Sequence, residues 1–152
     1  MPAASYFPHI DLLLQALRTS RGRLDSRSKI AVDPRLLAHL IKHIIATLPF
    51  DEAFYQTTYD DVAVAHGTGE IPDLHAHFVE TGFFEGRFGA DPTVDGSYYR
   101  STYPDVDQAI RDGQIRAAND HYVQRGAAES RAPTPGLAPT VERWMAVLRP
   151  DG

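Results

Sequence analysis

The sequence predicts an all-α protein: a tandem pair of helical repeat units closed at its two ends by amphipathic helices. Three observations carry this. Residues 50–88 align on residues 94–132 without a gap at a constant offset of 44, with 14 of 39 positions identical. An ungapped match of that length marks a duplicated unit, and its period is that of helical repeats. Outside the pair, apolar residues recur at i, i+3, i+4 and i+7, and no segment keeps a strand's period-two alternation for long. The organisation read from this is an N-terminal helical cap with a basic linker (1–49), unit 1 (50–93), unit 2 (94–132), and a Pro/Gly linker with a C-terminal helix (133–152).

The elements follow in order. In HIDLLLQALR, Ile10, Leu13, Leu14 and Leu17 form one apolar stripe. TSRGRLDSRSK (19–29) reads as an unstructured polar linker. Asp33 then caps a helix that Pro34 starts, with Leu36, Leu37, Leu40, Ile41, Ile44, Ile45 and Leu48 on its apolar side.

Each repeat unit reads as three short helices. Asp51 and Asp95 stand where an N-cap belongs, ahead of Phe54, Tyr55, Tyr59 and of Tyr98, Tyr99, Tyr103. Pro104 starts the second helix of unit 2, because its fixed φ suits the first helical position; Asp60 holds that place in unit 1, where an acid is also favourable. Gly69 and Gly113 end these helices in a left-handed cap. Pro72 and Asp73 open the third helix of unit 1, and Gly82 and Gly126 close the third helices. ESRAPTPGLAPT (129–140) cannot be a continuous helix. TVERWMAVLRP places Val141, Trp144, Met145 and Leu148 on one face. Two units alone bury little, so each is expected to need a neighbour, and the terminal helices are expected to close the ends.

Composition narrows the chemistry. A chain of 152 residues without cysteine excludes a disulfide framework, thiolate zinc sites and a cysteine nucleophile. No apolar run approaches the roughly 20 residues of a membrane span. The N-terminus lacks a basic lead and is interrupted by Asp11, so a cytoplasmic protein is the default expectation, with a surface or particle assembly as the alternative setting. Net charge is +4 over residues 1–49 and −8 over residues 50–93, which favours head-to-middle contacts within or between chains. The overall charge of −5 argues against nucleic acid. GTGE (67–70) lacks the lysine of a phosphate loop, and neither VDGS nor RDGQ continues as a calcium loop.

Three sets of residues are singled out. Tyr55, Tyr59, Tyr99 and Tyr103, with Asp61 and Asp105, have the chemistry to line a sugar groove: rings stack on sugar faces and carboxylates accept hydroxyl hydrogens. The competing reading makes the rings core and the aspartates helix caps, and it is preferred because aromatic side chains dominate burial in a small domain. Arg18, Arg21, Arg23, Arg27 and Lys29 could touch an anionic partner, weakly and with strong salt screening. His77/His121, Glu85/Glu129 and Arg87/Arg131 recur between units, and recurrence points to structure: a hydrogen bond for the histidines, and an ion pair tying each helix end to the neighbouring unit for the others. His39 and His43 have zinc-like spacing but share their face with Arg35 and Lys42, so no metal and no cofactor is expected.

The repeated residues resemble a bacterial repeat of the form FDxxYYLxxYPDVxxA…HYxxxGxxEGR. It is carried here by Phe50-Asp51, Phe54-Tyr55, Tyr59, Asp61-Val62, His77-Phe78, Gly82 and Glu85-Gly86-Arg87, and by Asp95, Tyr98-Tyr99, Tyr103-Pro104-Asp105-Val106, His121-Tyr122, Gly126, Glu129 and Arg131. Asp60, Val94 and Ser130 depart from the pattern. Such repeats occur beside glycosyltransferases and sulfotransferases of surface-polysaccharide loci and in some secreted calcium-binding proteins. The resemblance implies a non-enzymatic module that binds surface polysaccharide or the machinery that makes it. The alternative is a structural or adaptor subunit of a larger assembly, such as an envelope complex or a phage-like particle.

Overall fold

A computed structural model describes residues 6–149, and these form an all-helical fold with no strand among them. Helix α1 (Ile10–Ala16) buries Leu14 and is followed by the four-residue α2 (Arg21–Leu24). The basic stretch expected to be unstructured therefore contains a helical turn, begun at Ser20. Helix α3 (Pro34–Ile45) has Asp33 as its cap, accepting from the Arg35 N–H at 2.8 Å, with proline at its first position.

Unit 1 contains α4 (Glu52–Thr58), α5 (Asp60–Gly67) and α6 (Leu74–His77). Unit 2 contains α7 (Gly96–Thr102), α8 (Pro104–Arg111) and α9 (Ala118–His121). The same local chemistry starts and stops them. Asp51 accepts from the Phe54 N–H and Asp95 from the Tyr98 N–H, both at 2.9 Å. Gly69 and Gly113 stand past the ends of α5 and α8 with φ of 80° and 70°, a conformation that carries little penalty only for glycine.

The third helices do not stop as expected. α6 runs on into a π-helical turn at Phe78–Gly82, and α9 into another at Tyr122–Gly126. The wider turn has i→i+5 bonds, from the Phe83 N–H to the Phe78 carbonyl (2.9 Å) and from the Ala127 N–H to the Tyr122 carbonyl (3.0 Å). Gly82 and Gly126 are thus interior positions. The left-handed residues that turn the chain lie four further on, at Gly86 (φ 81°) and Ser130 (φ 62°).

Each unit closes on itself. Tyr55, Val62, Leu74 and Phe78 form one core, and Tyr99, Val106 and Ala118 another. The chain after each π turn returns to the unit's own start: the Asp51 N–H donates to the Gly89 carbonyl (2.9 Å), and the Asp95 N–H to the Pro133 carbonyl (3.0 Å). The expectation that a unit needs its neighbour to bury its face is corrected by these two separate cores. The rings of Phe88 and Tyr122 meet across the junction at 6.3 Å.

The terminal helices differ from each other. α3 buries Ile45 and lies on the π turn of unit 1, where the Lys42 ammonium pairs with Glu80 and sits 5.9 Å above the Phe84 ring. This contact joins the basic front of the chain to its acidic middle. Unit 2 has Gln124 and Ala128 in place of Glu80 and Phe84, so it offers neither the carboxylate nor the ring. At the other end, a 3₁₀ turn (Pro135–Leu137) leads into α10 (Ala138–Leu148), which buries none of its residues. The helix expected to close the C-terminal end leaves Trp144, Val147 and Leu148 exposed.

Candidate functional site

The repeated residues converge inside each unit. Tyr55 is placed by α4 against the third helix, and its hydroxyl is hydrogen-bonded to His77 Nδ1 at 3.0 Å. Tyr99 and His121 make the same bond at 3.0 Å. Both tyrosines are 0% exposed. Burial pushes their hydroxyls up to about 12, so the neutral form persists far above neutral pH. The hydroxyls point at Gly82 and Gly126: a Cβ there would fall 2.1 Å from the Tyr55 oxygen and 2.0 Å from the Tyr99 oxygen. Glycine is required by this close approach.

A second pair of contacts seals the outer face. Arg87 grips Asp61 through both terminal nitrogens, at 2.9 and 2.7 Å, and Glu85 through Nε at 2.9 Å. Arg131 grips Asp105 at 2.8 and 2.7 Å and Glu129 at 2.7 Å. Each guanidinium lies 4.9 Å above a ring, Arg87 over Tyr59 and Arg131 over Tyr103. The tyrosine oxygens are occupied as well: the Phe88 N–H donates to Tyr59 at 2.8 Å, and the Ala132 N–H to Tyr103 at 2.7 Å. The forked arginines hold the Asp61 and Asp105 carboxyls down at about 2.

These positions correct several expectations. Tyr55 and Tyr99 are core residues, while Asp61 and Asp105 cap no helix, since α5 and α8 start without a side-chain cap bond. Tyr55 and Tyr99 cannot stack on a sugar, because no part of either ring reaches solvent. Tyr59 and Tyr103 are half-buried and bonded within their own unit, and Asp61 and Asp105 are exposed but held by Arg87 and Arg131. The six residues therefore do not act together as stacking rings and free carboxylates. The ion pairs of Arg87 and Arg131 tie each helix end to α5 or α8 of the same unit, not to the neighbour. The bidentate reach from 61 to 87 spans 26 residues, and nothing local in the sequence announces it.

In the basic stretch, Arg21 pairs with Asp11. Arg18, Arg23, Arg27 and Lys29 are exposed and make no ion pair among the described residues. His43 faces the Phe7 ring at 5.5 Å. Among the described residues no three His, Asp or Glu side chains are grouped to hold a metal.

One concavity was not foreseen. A cleft of about 740 Å³ opens on unit 2 between α7, α8 and the start of α9. Asp107 is among its lining residues, bonded to Arg100 Nε at 2.6 Å and ion-paired with Arg111 at 2.7 Å. The i,i+4 spacing of Asp107 and Arg111 was a sequence signal for half of this network.

Together these contacts define an all-helical protein of two alike units, each with a buried tyrosine bonded to a histidine and an Arg–Asp–Glu clasp. No protein-family model, curated protein or solved structure matches the chain.

Proposed function

We propose that the chain is a non-enzymatic binding module of a bacterial surface-polysaccharide system, and that it meets the protein machinery of that system through its C-terminal helix. The observation that carries this is α10. It is amphipathic, it follows a unit that already has a closed core, and Trp144 is 62% exposed. Large apolar side chains grouped on an uncovered helix face mark a contact surface. Trp is also among the residues that most often dominate a protein interface. The polysaccharide setting is supported by the resemblance of the repeats. Stacking of the repeated tyrosines on glycan is not part of the proposal, because those rings are enclosed.

The test is sedimentation of gently lysed source cells, with polymer-synthesising activity measured in each fraction. The native chain should travel with that activity, and Trp144→Glu should release it to the position of a free monomer while its helical spectrum stays unchanged. A native chain found only as free monomer would refute the reading. Co-migration with a large particle devoid of polymer-synthesising activity favours the second reading, a structural or adaptor subunit of an envelope complex or phage-like particle. The same exposed helix supports that reading.

A further inference from the structure

The two units share the contacts that close them, although their cores and caps differ in detail, as at Leu74 and Ala118 or Asp73 and Ala117. A network present in one unit alone is therefore not part of the shared scaffold. The Tyr–His bond, the Arg–Asp–Glu clasp and the backbone closure occur twice. The network in the unit 2 cleft occurs once. Counterparts of Arg100, Asp107, Arg111 and Arg116 in unit 1 are Gln56, Ala63, Gly67 and Pro72, and unit 1 closes its core without them.

The cleft has a defined chemistry. Asp107 is only 20% exposed and fixes two guanidiniums at once. Arg100 gives it one of five N–H donors, and the rest of both forks remain available. Arg116 stands at the rim, 93% exposed, with a 3.5 Å contact to Asp120. Ser97, Ser101 and Asp95 add hydroxyl and carboxylate oxygens beside Ile110, Ala117 and Ala118. The Ser101 hydroxyl donates to the Tyr98 carbonyl and one Asp95 oxygen caps α7, leaving the other oxygen of Asp95 and the Ser101 lone pairs to accept. Three arginines thus stand against three carboxylates, Asp95 and Asp107 in the lining and Asp120 beside Arg116, so the cleft offers free guanidinium N–H groups and not a net positive field. A planar guanidinium fork matches a carboxylate in two parallel bonds, while the serine and aspartate oxygens suit hydroxyl donors.

We propose that this cleft binds a sugar acid: a pyranose ring whose carboxylate takes the Arg100 and Arg111 forks and whose hydroxyls meet Ser97, Ser101 and Asp95. The inference rests on the polysaccharide setting proposed above and assigns it a glycan subsite. The two fail separately, since this one is read on the purified chain and does not involve α10.

The experiment is a calorimetric titration of the full chain with trigalacturonate, alongside maltotriose, galacturonate monomer and inorganic phosphate. Trigalacturonate should bind saturably and weaken as salt rises. Arg100→Gln, which installs the residue of unit 1, should weaken it about tenfold, as expected for one charge-assisted contact. Arg116→Ala touches nothing in the core and should weaken it severalfold even if the first variant folds poorly. Galacturonate monomer binding equally well confines the site to a single sugar, in keeping with the assignment. Absence of saturable binding, unchanged affinity in Arg116→Ala and folded Arg100→Gln, or equal binding of phosphate or maltotriose would overturn it.

Discussion

Gly82→Ala offers a sharp test of how the units are built. The added methyl would sit 2.1 Å from the Tyr55 oxygen and 3.2 Å from its ring carbon Cζ. The ring cannot swing aside. It is wholly buried, with the rings of Tyr59, Phe50 and Phe78 at 5.1, 5.3 and 5.8 Å. Overpacking costs about 1–3 kcal/mol, and displacing the hydroxyl from His77 leaves buried polar atoms unpaired at about 1–3 kcal/mol. Alanine's helix preference returns about 1 kcal/mol. The net expectation is a loss of about 2–4 kcal/mol, a large share of the roughly 5–15 kcal/mol that holds a domain. Tyr55→Phe removes the clashing atom, so Gly82→Ala should cost much less in that background, with a coupling of about 2 kcal/mol. Urea unfolding followed by circular dichroism measures all four proteins. Amide spectra locate the damage, which should fall in unit 1 and spare unit 2. A Gly82→Ala protein within about 0.5 kcal/mol of the parent, the scatter of ordinary surface changes, would refute the close approach. So would a double variant no better than additive.

Other expectations follow from the same contacts. Ser130→Gly should stabilise unit 2 by about 0.5–1 kcal/mol in urea unfolding, because Ser130 holds a left-handed conformation that unit 1 assigns to Gly86. Arg131→Lys keeps the charge but loses the fork over Asp105 and the cover over Tyr103, and should lower stability by about 1 kcal/mol by the same assay. Tyr55 and Tyr99 have pKa values raised in the folded state, so the stability from their burial is intact below pH 10. It should fall as pH climbs from 10 to about 12, with tyrosinate absorbance and helix loss appearing together. Asp61 and Asp105 act with the opposite sign. Their depressed pKa values give stability above about pH 4 that declines toward pH 2, and an acid titration of the Asp105→Asn protein should show a shallower decline.

What the sequence disclosed was mostly local. Asp33, Asp51, Asp73 and Asp95 were legible as caps because a cap is made with N–H groups two or three residues away. Gly69 and Gly113 were legible because a left-handed φ is a property of one residue. Gly82 and Gly126 have the look of helix ends in the sequence, since a glycine late in a helix usually is one. Their real role depends on a tyrosine 27 residues earlier, and only the folded chain brings the two together. The recurrence of Glu85 and Arg87 signals an ion pair, but the sequence does not show that the arginine reaches Asp61 of its own unit. Comparison of the copies drew attention to what they share. The cleft of Arg100, Asp107 and Arg111 lay among the differences. The apolar stripe of α10 was read correctly as a stripe, but a stripe does not say whether the chain itself covers it.

The backbone clasp between residues 51 and 89, repeated between 95 and 133, has a genetic consequence. A stacked solenoid must grow between caps, because every new layer opens a raw face that the next must cover. A module whose ends bond to each other opens a smaller one, here the Phe88–Tyr122 ring contact. Copying 44 codons in frame repeats the core and the closing backbone bond together. The copies are then free to drift apart on their outer surfaces while the Tyr–His pair and the arginine clasp keep each interior in register. One unit carries the α3 dock at Glu80 and Phe84, and its sibling carries the arginine cleft.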